Sequence, residues 1–322
     1  MPARTKYGDR WEIISSSGEG GQSHIFLVRD LHSKTDEQWV LKRLKNHDRV
    51  SRFEQEIKAC QKLHHSGIAP ILDYSLSQPA YFVTKHYPWP SLSECQPLPP
   101  LEALKIFLKL CDTVAYAHQR GVIHRDLKPE NILLSENQDV VILDFGICYF
   151  EDEEHRLTET MEQVGSRFFI APEFESGRAD VVTPQADTYA LGKLLYFLLS
   201  GKRIAREAFT GENDLSHLLK NPQLLYVTEK ILAKAVTEHP RDRYTVPELR
   251  DAAVQVRQLI SEHYYPGREG AKCRFCGERQ YKKASTMRLH VSFPGREKNV
   301  DFDILICEHC RNVQWFNTEP SI

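Results

Sequence analysis

The stretch VIHRDLKPENILLSENQDVVILDFG, residues 122–146, constrains this chain more than any other. It sets His124, Arg125, Asp126, Lys128 and Asn131 within eight residues, then places Asp144 after an apolar run and before Phe145 and Gly146. Aspartates, a lysine and an asparagine beside hydrophobic strands are costly to hold unless something charged is bound there. A metal ion or a phosphate group would meet that requirement.

With 322 residues the chain can bury a sizeable core, in one large domain or two to three ordinary ones. An apolar fraction of 41%, a charged fraction of 27% and a formal net charge of -2 exclude a disordered or fibrous chain and a general polyanion binder. Any basic patch is local. The opening MPARTKYGDRWEI lacks the apolar core of a signal peptide, and the most apolar segment, YALGKLLYFLLSG, is short and interrupted by Lys193. These features point to a cytoplasmic protein with no membrane segment. Cys60, Cys95, Cys111 and Cys148 are scattered and read as ordinary thiols of a reducing compartment. Cys273, Cys276, Cys307 and Cys310 form two CxxC pairs, which favour a metal site over a disulfide framework.

WEIISSSGEGGQSHIFLVRD followed by EQWVLKRLK predicts strand, glycine-rich turn, strand and strand, with Trp11, Ile13, Ile25, Leu27, Trp39 and Leu41 on the apolar face. RFEQEIKACQKLHH repeats Phe53, Ile57, Cys60 and Leu63 at helical spacing up to Gly67, and APILDYSLSQPAYFVTKHY gives two further strands. Beyond the turn-rich WPSLSECQPLPP the pattern becomes helical. LEALKIFLKLCDTVAYAHQRG keeps Leu104, Phe107, Leu108, Cys111 and Ala115 on one face and stops at Gly121. TPQADTYALGKLLYFLLSG is apolar around most of its circumference, as expected of a helix buried inside a lobe, and ends at Gly201. VTEKILAKAVT and VPELRDAAVQVRQLI read as amphipathic outer helices. YYPGREG breaks the pattern, and MRLHVSF, FDILIC and NVQWF then read as short strands of a separate small module.

GEGGQS lies between two predicted strands, so it is a hairpin tip and not the turn that opens the helix of a dinucleotide fold. Gly18, Gly20 and Gly21 let backbone amides approach a polyphosphate, although a glycine-rich hairpin also serves as a plain turn. Lys42, in the strand WVLKRL, is a solvated edge residue if it points outward. Pointing inward it needs an anion, which Glu56 on the following helix supplies, with Glu54 the weaker alternative.

Taken in order, the glycine hairpin, Lys42, a helical glutamate, HRDLKPEN, DFG and APE (Ala171, Pro172, Glu173) resemble the eukaryotic-type Ser/Thr protein kinase family over residues 9 to about 262. The form GEGGQSHIFLVRD, with Ser23 where many members carry a third glycine, is most similar to bacterial Ser/Thr kinases. The resemblance implies an α+β, two-lobed protein-kinase fold: a small β-rich N-lobe with one key helix over 9–87 and a larger helical C-lobe over 88–263. A small C-terminal β module, zinc-ribbon-like, would occupy 268–322.

The same resemblance implies roles. Asp126 would be the catalytic base and Lys128 would offset charge on the transferring phosphoryl group, while Asn131 and Asp144 would hold Mg2+ or Mn2+. ATP would lie under Gly18, Gly20, Gly21, Ser23 and Ile25, with its phosphates gripped by Lys42 paired to Glu56. At the hinge, Thr84 would be the gatekeeper, and the Lys85 carbonyl and Tyr87 amide would meet adenine. His124 and Phe145 would pack in the catalytic spine, Asp187 would anchor the catalytic loop, and Glu173 would pair with Arg243. Lys128, with Ser166 before APE, resembles Ser/Thr rather than tyrosine kinases, so protein Ser/Thr hydroxyls are the implied acceptors, this chain's own among them. Arg125 implies control through phosphate on Thr158 or Thr160 of the activation loop. The acidic run Glu151, Asp152, Glu153 and Glu154 is either a solvated loop or a substitute anion for Arg125. Ser166 stands where threonine is usual and Phe169 where tyrosine is common, and no catalytic position is lost.

CRFCG and CEHC supply four soft thiolates for a structural Zn2+, farther apart than is usual in a zinc ribbon but with room for a β-hairpin; redox pairs are the other reading. His290 and His309 are further ligand candidates, but four cysteines already close a site. A module this small draws folding free energy from the metal. Lys272, Arg274, Arg279, Lys282, Lys283 and Arg288, with Tyr281, make its first half basic: a solvated face, a protein docking surface or, less favoured, a nucleic-acid surface. Two other functions stay open. One is an ATP-gated scaffold whose ribbon binds a partner or nucleic acid, against which the intact set Asp126, Asn131, Asp144 and Lys42 argues. The other is a small-molecule kinase on the same fold, against which Ser166 and APE argue.

Overall fold

The computed structural model describes residues 6–19, 23–145, 168–175 and 183–261, and the backbone alone of 281–293, 296–307 and 313–317. The chain forms two compact units, Met1–Ala208 with Ile231–Ala253, and Phe209–Lys230 with Val254–Ile322.

In the first unit six strands, β1 (Lys6–Tyr7), β2 (Trp11–Glu19), β3 (Ser23–Asp30), β4 (Gln38–Leu44), β5 (Ile71–Ser75) and β6 (Tyr81–Lys85), form one antiparallel sheet in the order β1-β2-β3-β4-β6-β5. Leu41 stands opposite Phe26 and Val83, and around it are buried Tyr7, Trp11, Val28 and Tyr81, with Ile13 and Trp39 packed against them. The buried Trp11 indole N–H donates to Asp73 Oδ2 at 2.6 Å, so it is not left unsatisfied. On the other face Leu44 and Phe82 pack against Phe53 and Ile57 of helix α1 (Val50–Gln61), the Phe53 and Phe82 rings stacking at 5.3 Å. Ile25 is in register with Lys42, one residue along from Leu41. Side chains alternate along a strand, so Ile25 lies on the α1 face, across the sheet from Trp39 and Leu41. The sheet is therefore apolar on both faces, where the sequence pattern suggested one. Helix α1 also ends earlier than its pattern, with Lys62 as its C-cap well before Gly67.

The helical part comprises α2 (Pro100–His118), α3 (Pro172–Glu175), α4 (Gln185–Ser200), α5 (Leu215–Leu218), α6 (Leu225–Val227), α7 (Ala233–Ala235) and α8 (Val246–Ser261), with the hairpin β7 (Ile132–Leu134) and β8 (Val140–Ile142) after α2. Helix α2 starts on prolines, where the missing N–H costs nothing. It buries Leu104, Phe107 and Cys111, but its inward face turns toward Leu110 and Val114, leaving Leu108 and Ala115 half-buried. In α4 every residue from Ala186 through Leu199 is buried, and the helix stops where Gly201 adopts φ 67°. Gly192 lets α4 and α7 touch: a Cβ there would stand 2.8 Å from the Ala235 Cβ and 2.7 Å from Val236 Cγ2. Lys193 is buried too, its ammonium donating to the carbonyls of Ile204, at 2.8 Å, and of Arg206. The core thus holds the loop that follows α4. VTEKILAKAVT is amphipathic, with Ile231, Leu232, Ala235 and Val236 buried and Glu229, Ala233 and Lys234 exposed, but it is not one regular helix: α6 passes through the π-helical turn Thr228–Leu232 into α7.

The second unit holds α5, whose first turn is capped by Asp214 accepting from the Ser216 amide at 2.9 Å, and a three-stranded antiparallel sheet in the order β11-β10-β9. Its strands are β9 (Tyr281–Phe293), β10 (Arg296–Cys307) and β11 (Val313–Asn317). The register runs from Arg296 opposite Phe293 to Cys307 opposite Tyr281, with one irregularity between Ile304 and Leu305. Two of the strands exceed their apolar signatures. Cross-strand hydrogen bonds carry pairing into the polar stretches YKKASTM and REKNVD, which apolar alternation does not mark.

Candidate active site

The loop between α2 and β7 carries Asp126, and Asp187 in the first turn of α4 fixes it. Asp187 accepts the backbone amides of His124 and Arg125, each at 2.8 Å, and its Oδ2 lies 2.8 Å from His118 Nε2. Burial pulls the Asp187 pKa upward, but the hydrogen bond from His118, the electrostatics of the neighbouring imidazoles and the Arg125 amide outweigh it and hold the carboxyl below its ordinary value. Arg125 takes φ 70°, a left-handed turn that aims successive groups in different directions. His124 Nδ1 accepts the Asp126 amide at 3.2 Å, so Nε2 carries the proton and donates to the Leu143 carbonyl at 2.8 Å. Its ring meets the buried Phe145 edge-on at 4.7 Å.

The Asp126 carboxylate lies 2.8 Å from Lys128 Nζ and accepts from Asn131 Nδ2 at 3.0 Å. The same Asn131 nitrogen donates to the Asp126 carbonyl at 2.8 Å, which leaves the amide oxygen as its ligand atom. Lys42 on β4 enters from the sheet. Its ammonium is 3.0 Å from Asp144 Oδ1 and 3.7 Å from Glu56 Oε1, so Asp144 is the nearer partner. Glu54, by contrast, pairs with Lys58 one turn along the exposed side of α1, at 2.6 Å. Glu56 is 4% exposed and its Oε1 makes no hydrogen bond. Burial pushes its carboxyl up to about 8, with Lys42 opposing and Asp144 adding to the rise. Asp144 itself adopts φ 57°.

One turn beyond Glu56, the buried Cys60 thiol donates to the Phe145 carbonyl at 3.1 Å, tying α1 to the Asp144-Phe145 segment. Burial, then the charges of Glu56 and Asp144, raise this thiol far above its ordinary value, so it stays a donor. At the end of β6, Thr84 is the register partner of Val40 and shares the face of Lys42 and Phe82. Its hydroxyl donates to the Pro70 carbonyl at 2.8 Å. Lys85 is exposed, its ammonium 5.4 Å from the Tyr87 ring centroid. Ser23 is buried at the start of β3, and Gly18 faces Ile25 in register. Below the site, Arg243 grips Glu173 with two bonds of 2.8 Å and reaches the carbonyls of Thr237, Gln185 and Glu238.

Asp126, Lys128 and Asn131 thus form one cluster, Lys42, Glu56 and Asp144 from three other segments form a second, and the Leu143 amide donating to the Asn131 carbonyl at 2.8 Å joins the two segments; Thr84 and Ile25 share the sheet face of Lys42. Gly20, Gly21, Thr158, Thr160, Ser166, Cys273, Cys276 and Cys310 lie outside the described residues, and of Cys307 only the backbone, at the end of β10, is described. Two residues have parts that the sequence did not assign them: Cys60, read there only as an ordinary thiol on a helix face, and His118. Cys60 had a signal, its spacing of four from Glu56 on a helix; His118 had none. The cluster fits a divalent cation and a polyphosphate. Two carboxylates and an amide oxygen are hard donors of the kind Mg2+ prefers, and the two ammonium groups suit phosphate oxygens. A cleft of about 790 Å³ lined by His64, His65, Lys85, Tyr87, Trp89 and Asp112 borders the segment of Lys85 and Tyr87 but is lined by none of Asp126, Asp144 and Lys42.

Comparison with known proteins agrees with this geometry. The family described as "Protein kinase domain" matches residues 11–262. The chain is 30% identical over 268 residues to serine/threonine-protein kinase PrkC of Bacillus subtilis, covering 76% of this chain and 40% of that one. It is 29% identical to serine/threonine-protein kinase PknB of Mycobacterium tuberculosis, over 80% of this chain and 44% of that one. With serine/threonine-protein kinase D of Synechocystis it shares 33% identity, over 80% of this chain and 54% of that one. It spans about half the length of these relatives or less. The crystal structure of the Mycobacterium tuberculosis PknI kinase domain superimposes with a TM-score of 0.60 at 22% identity, covering 79% of this chain and 98% of that one, a likeness of fold. By sequence family and by the two-lobed arrangement of sheet and helices around Asp126, the chain belongs to the protein kinase domain family.

Proposed function

We propose that this chain is an ATP-dependent Ser/Thr protein kinase, transferring the γ-phosphoryl group of Mg-ATP to serine or threonine hydroxyls of proteins, its own among them. The observation that carries the reading is a pair of adjacent clusters, Asp126 with Lys128 and Asn131, and Asp144 with Lys42, tied together by the Leu143 amide donating to the Asn131 carbonyl at 2.8 Å. The kinship with PrkC and PknB supports it. Asp126 orients the acceptor hydroxyl and takes its proton as the new P–O bond forms and the bond to the β-phosphate oxygen breaks, releasing ADP. Lys128 offsets charge on the moving phosphoryl group, and Lys42 holds the α and β phosphates. Asn131 and Asp144 would hold Mg2+ or Mn2+, which supplies neutralisation of phosphate charge when bound. Glu56 positions Lys42; Thr84, Lys85 and Tyr87 receive adenine, with Ile25, Ser23 and the glycines Gly18, Gly20 and Gly21 above it. Arg125 would receive a phosphate on Thr158 or Thr160, with Ser166 beside the base.

The finer parts of the reading are an N-lobe over 9–87, a C-lobe over 88–263 and a module over 268–322 in which Cys273, Cys276, Cys307 and Cys310 hold a structural Zn2+. The CxxC spacing and the three-stranded sheet of β9, β10 and β11 support the last of these. That module would dock a protein partner. We place the protein in the cytoplasm; among the described residues no helix is long and apolar enough to cross a membrane. The test is labelled phosphate transfer from ATP with magnesium, comparing wild type with Asp126→Asn. A loss of at least about a hundredfold in the variant is expected, and equal transfer by both proteins would refute the assignment.

A further inference from the structure

Beside the catalytic cluster lies an ion pair that the kinase reading does not use. Glu130 is the chain neighbour of Asn131, whose side chain bonds Asp126, and stands two residues after Lys128. Its carboxylate is bound by the guanidinium of Arg203, delivered by the loop after α4 across 73 residues of sequence. The pair lies at the surface, its side chains 27% exposed for Arg203 and 39% for Glu130. Arg203 is held in place from two further sides: its guanidinium carbon is 5.8 Å from the Phe169 ring centroid and 5.9 Å from that of Phe197. The buried Lys193 ammonium fastens the loop at Ile204 and Arg206, on the residues that follow.

An acceptor polypeptide must bring its hydroxyl to Asp126. An extended chain advances about 3.3 Å per residue, and consecutive Cα atoms are about 3.8 Å apart. Glu130 follows Asp126 by four residues in the same loop, so an acceptor chain lying along that loop would carry a side chain near its hydroxyl past Glu130. A carboxylate left open there would select lysine or arginine through charge-assisted hydrogen bonds, and Arg203 already occupies it.

We propose that Arg203 is a specificity-determining residue: by engaging Glu130 it removes selection for basic residues next to the acceptor. The protein then takes Ser/Thr segments with no basic flank at the position that passes Glu130. The inference rests on the kinase reading above.

The test measures kcat/KM on Ser/Thr peptides carrying Arg, Ala or Asp at each position around the acceptor, for wild type, Arg203→Gln, Arg203→Lys, Glu130→Gln and the double variant Arg203→Gln/Glu130→Gln. Ratios between peptides cancel any general loss of activity. Wild type and Arg203→Lys are expected to treat Arg and Ala alike within about twofold. Arg203→Gln should gain a preference for Arg of about tenfold at one position or two adjacent ones, and the double variant should lose it. Glu130→Gln, which leaves the guanidinium without its carboxylate, should gain a preference for Asp at the same position, and this decides the matter if Arg203→Gln does not fold. No gain in either single variant, or a gain of Arg preference that survives removal of Glu130, overturns the proposal. Absence of transfer from wild type to every peptide and to itself would instead overturn the kinase reading, and the proposal with it.

Discussion

Glu56 combines burial, a carboxyl raised to about 8 and an Oε1 without a hydrogen bond. Its ordinary pKa is 4.5, so between about 4.5 and about 8 the native protein keeps a proton that the unfolded chain has released. Stability from this group is therefore full at low pH and falls as pH rises through that window. Glu56→Gln cannot ionise, and circular-dichroism melts across pH are expected to show a flatter profile, with the variant melting at least about 3 °C above wild type at pH 8.5. The same fall in variant and wild type would assign the pH dependence to another group. The ion pairs of the site were only partly legible at this scale. HRDLKPEN and DFG mark Asp126, Asn131 and Asp144 because polar clusters next to apolar runs need a reason. That Lys42 sits nearer Asp144 than Glu56, or that Arg203 reaches Glu130, depends on tertiary geometry that no local pattern encodes.

Among the elements, α4 was the most legible, since a helix apolar around its circumference has nowhere to go but a core. Its closeness to α7 depends on one position. Adding a methyl at Gly192 forces overlap with Ala235 and Val236, and overpacking of this kind costs about 1–3 kcal/mol. Gly192→Ala is thus expected to lower the melting temperature by roughly 3–10 °C, read by calorimetry; an unchanged value would mean that α7 shifts freely. Less was readable where two requirements overlapped. The strands of the large sheet are apolar on both faces because one face packs on α1 and the other gathers Trp11, Tyr7 and Tyr81, so strict alternation is blurred. In the segment leading to α7, the regular spacing of VTEKILAKAVT hid a π-helical turn, although one side stays buried at Ile231, Leu232, Ala235 and Val236 and the other exposed at Glu229, Ala233 and Lys234.

For the molecule as a whole, the kinase family covers residues 11–262 and leaves the cysteine pairs outside it. The proposed zinc site then predicts about one bound zinc per chain by elemental analysis, lost when Cys273 and Cys276 are replaced by Ser. Chelation should melt the sheet of β9, β10 and β11 and leave the unfolding transition of the kinase domain in place; absence of zinc from protein purified without chelators would remove the site. A different link runs through the interior of the kinase domain itself. Lys193 belongs to the core helix, yet the carbonyls it holds, those of Ile204 and Arg206, belong to the residues that follow Arg203 in its loop. Replacing that ammonium with an aliphatic side chain would untether the arm that offers the guanidinium. Evolutionary drift in substrate choice would then leave its mark at the centre of the protein as well as on its surface, and lineages that change residue 203 would be expected to change residue 193 with it.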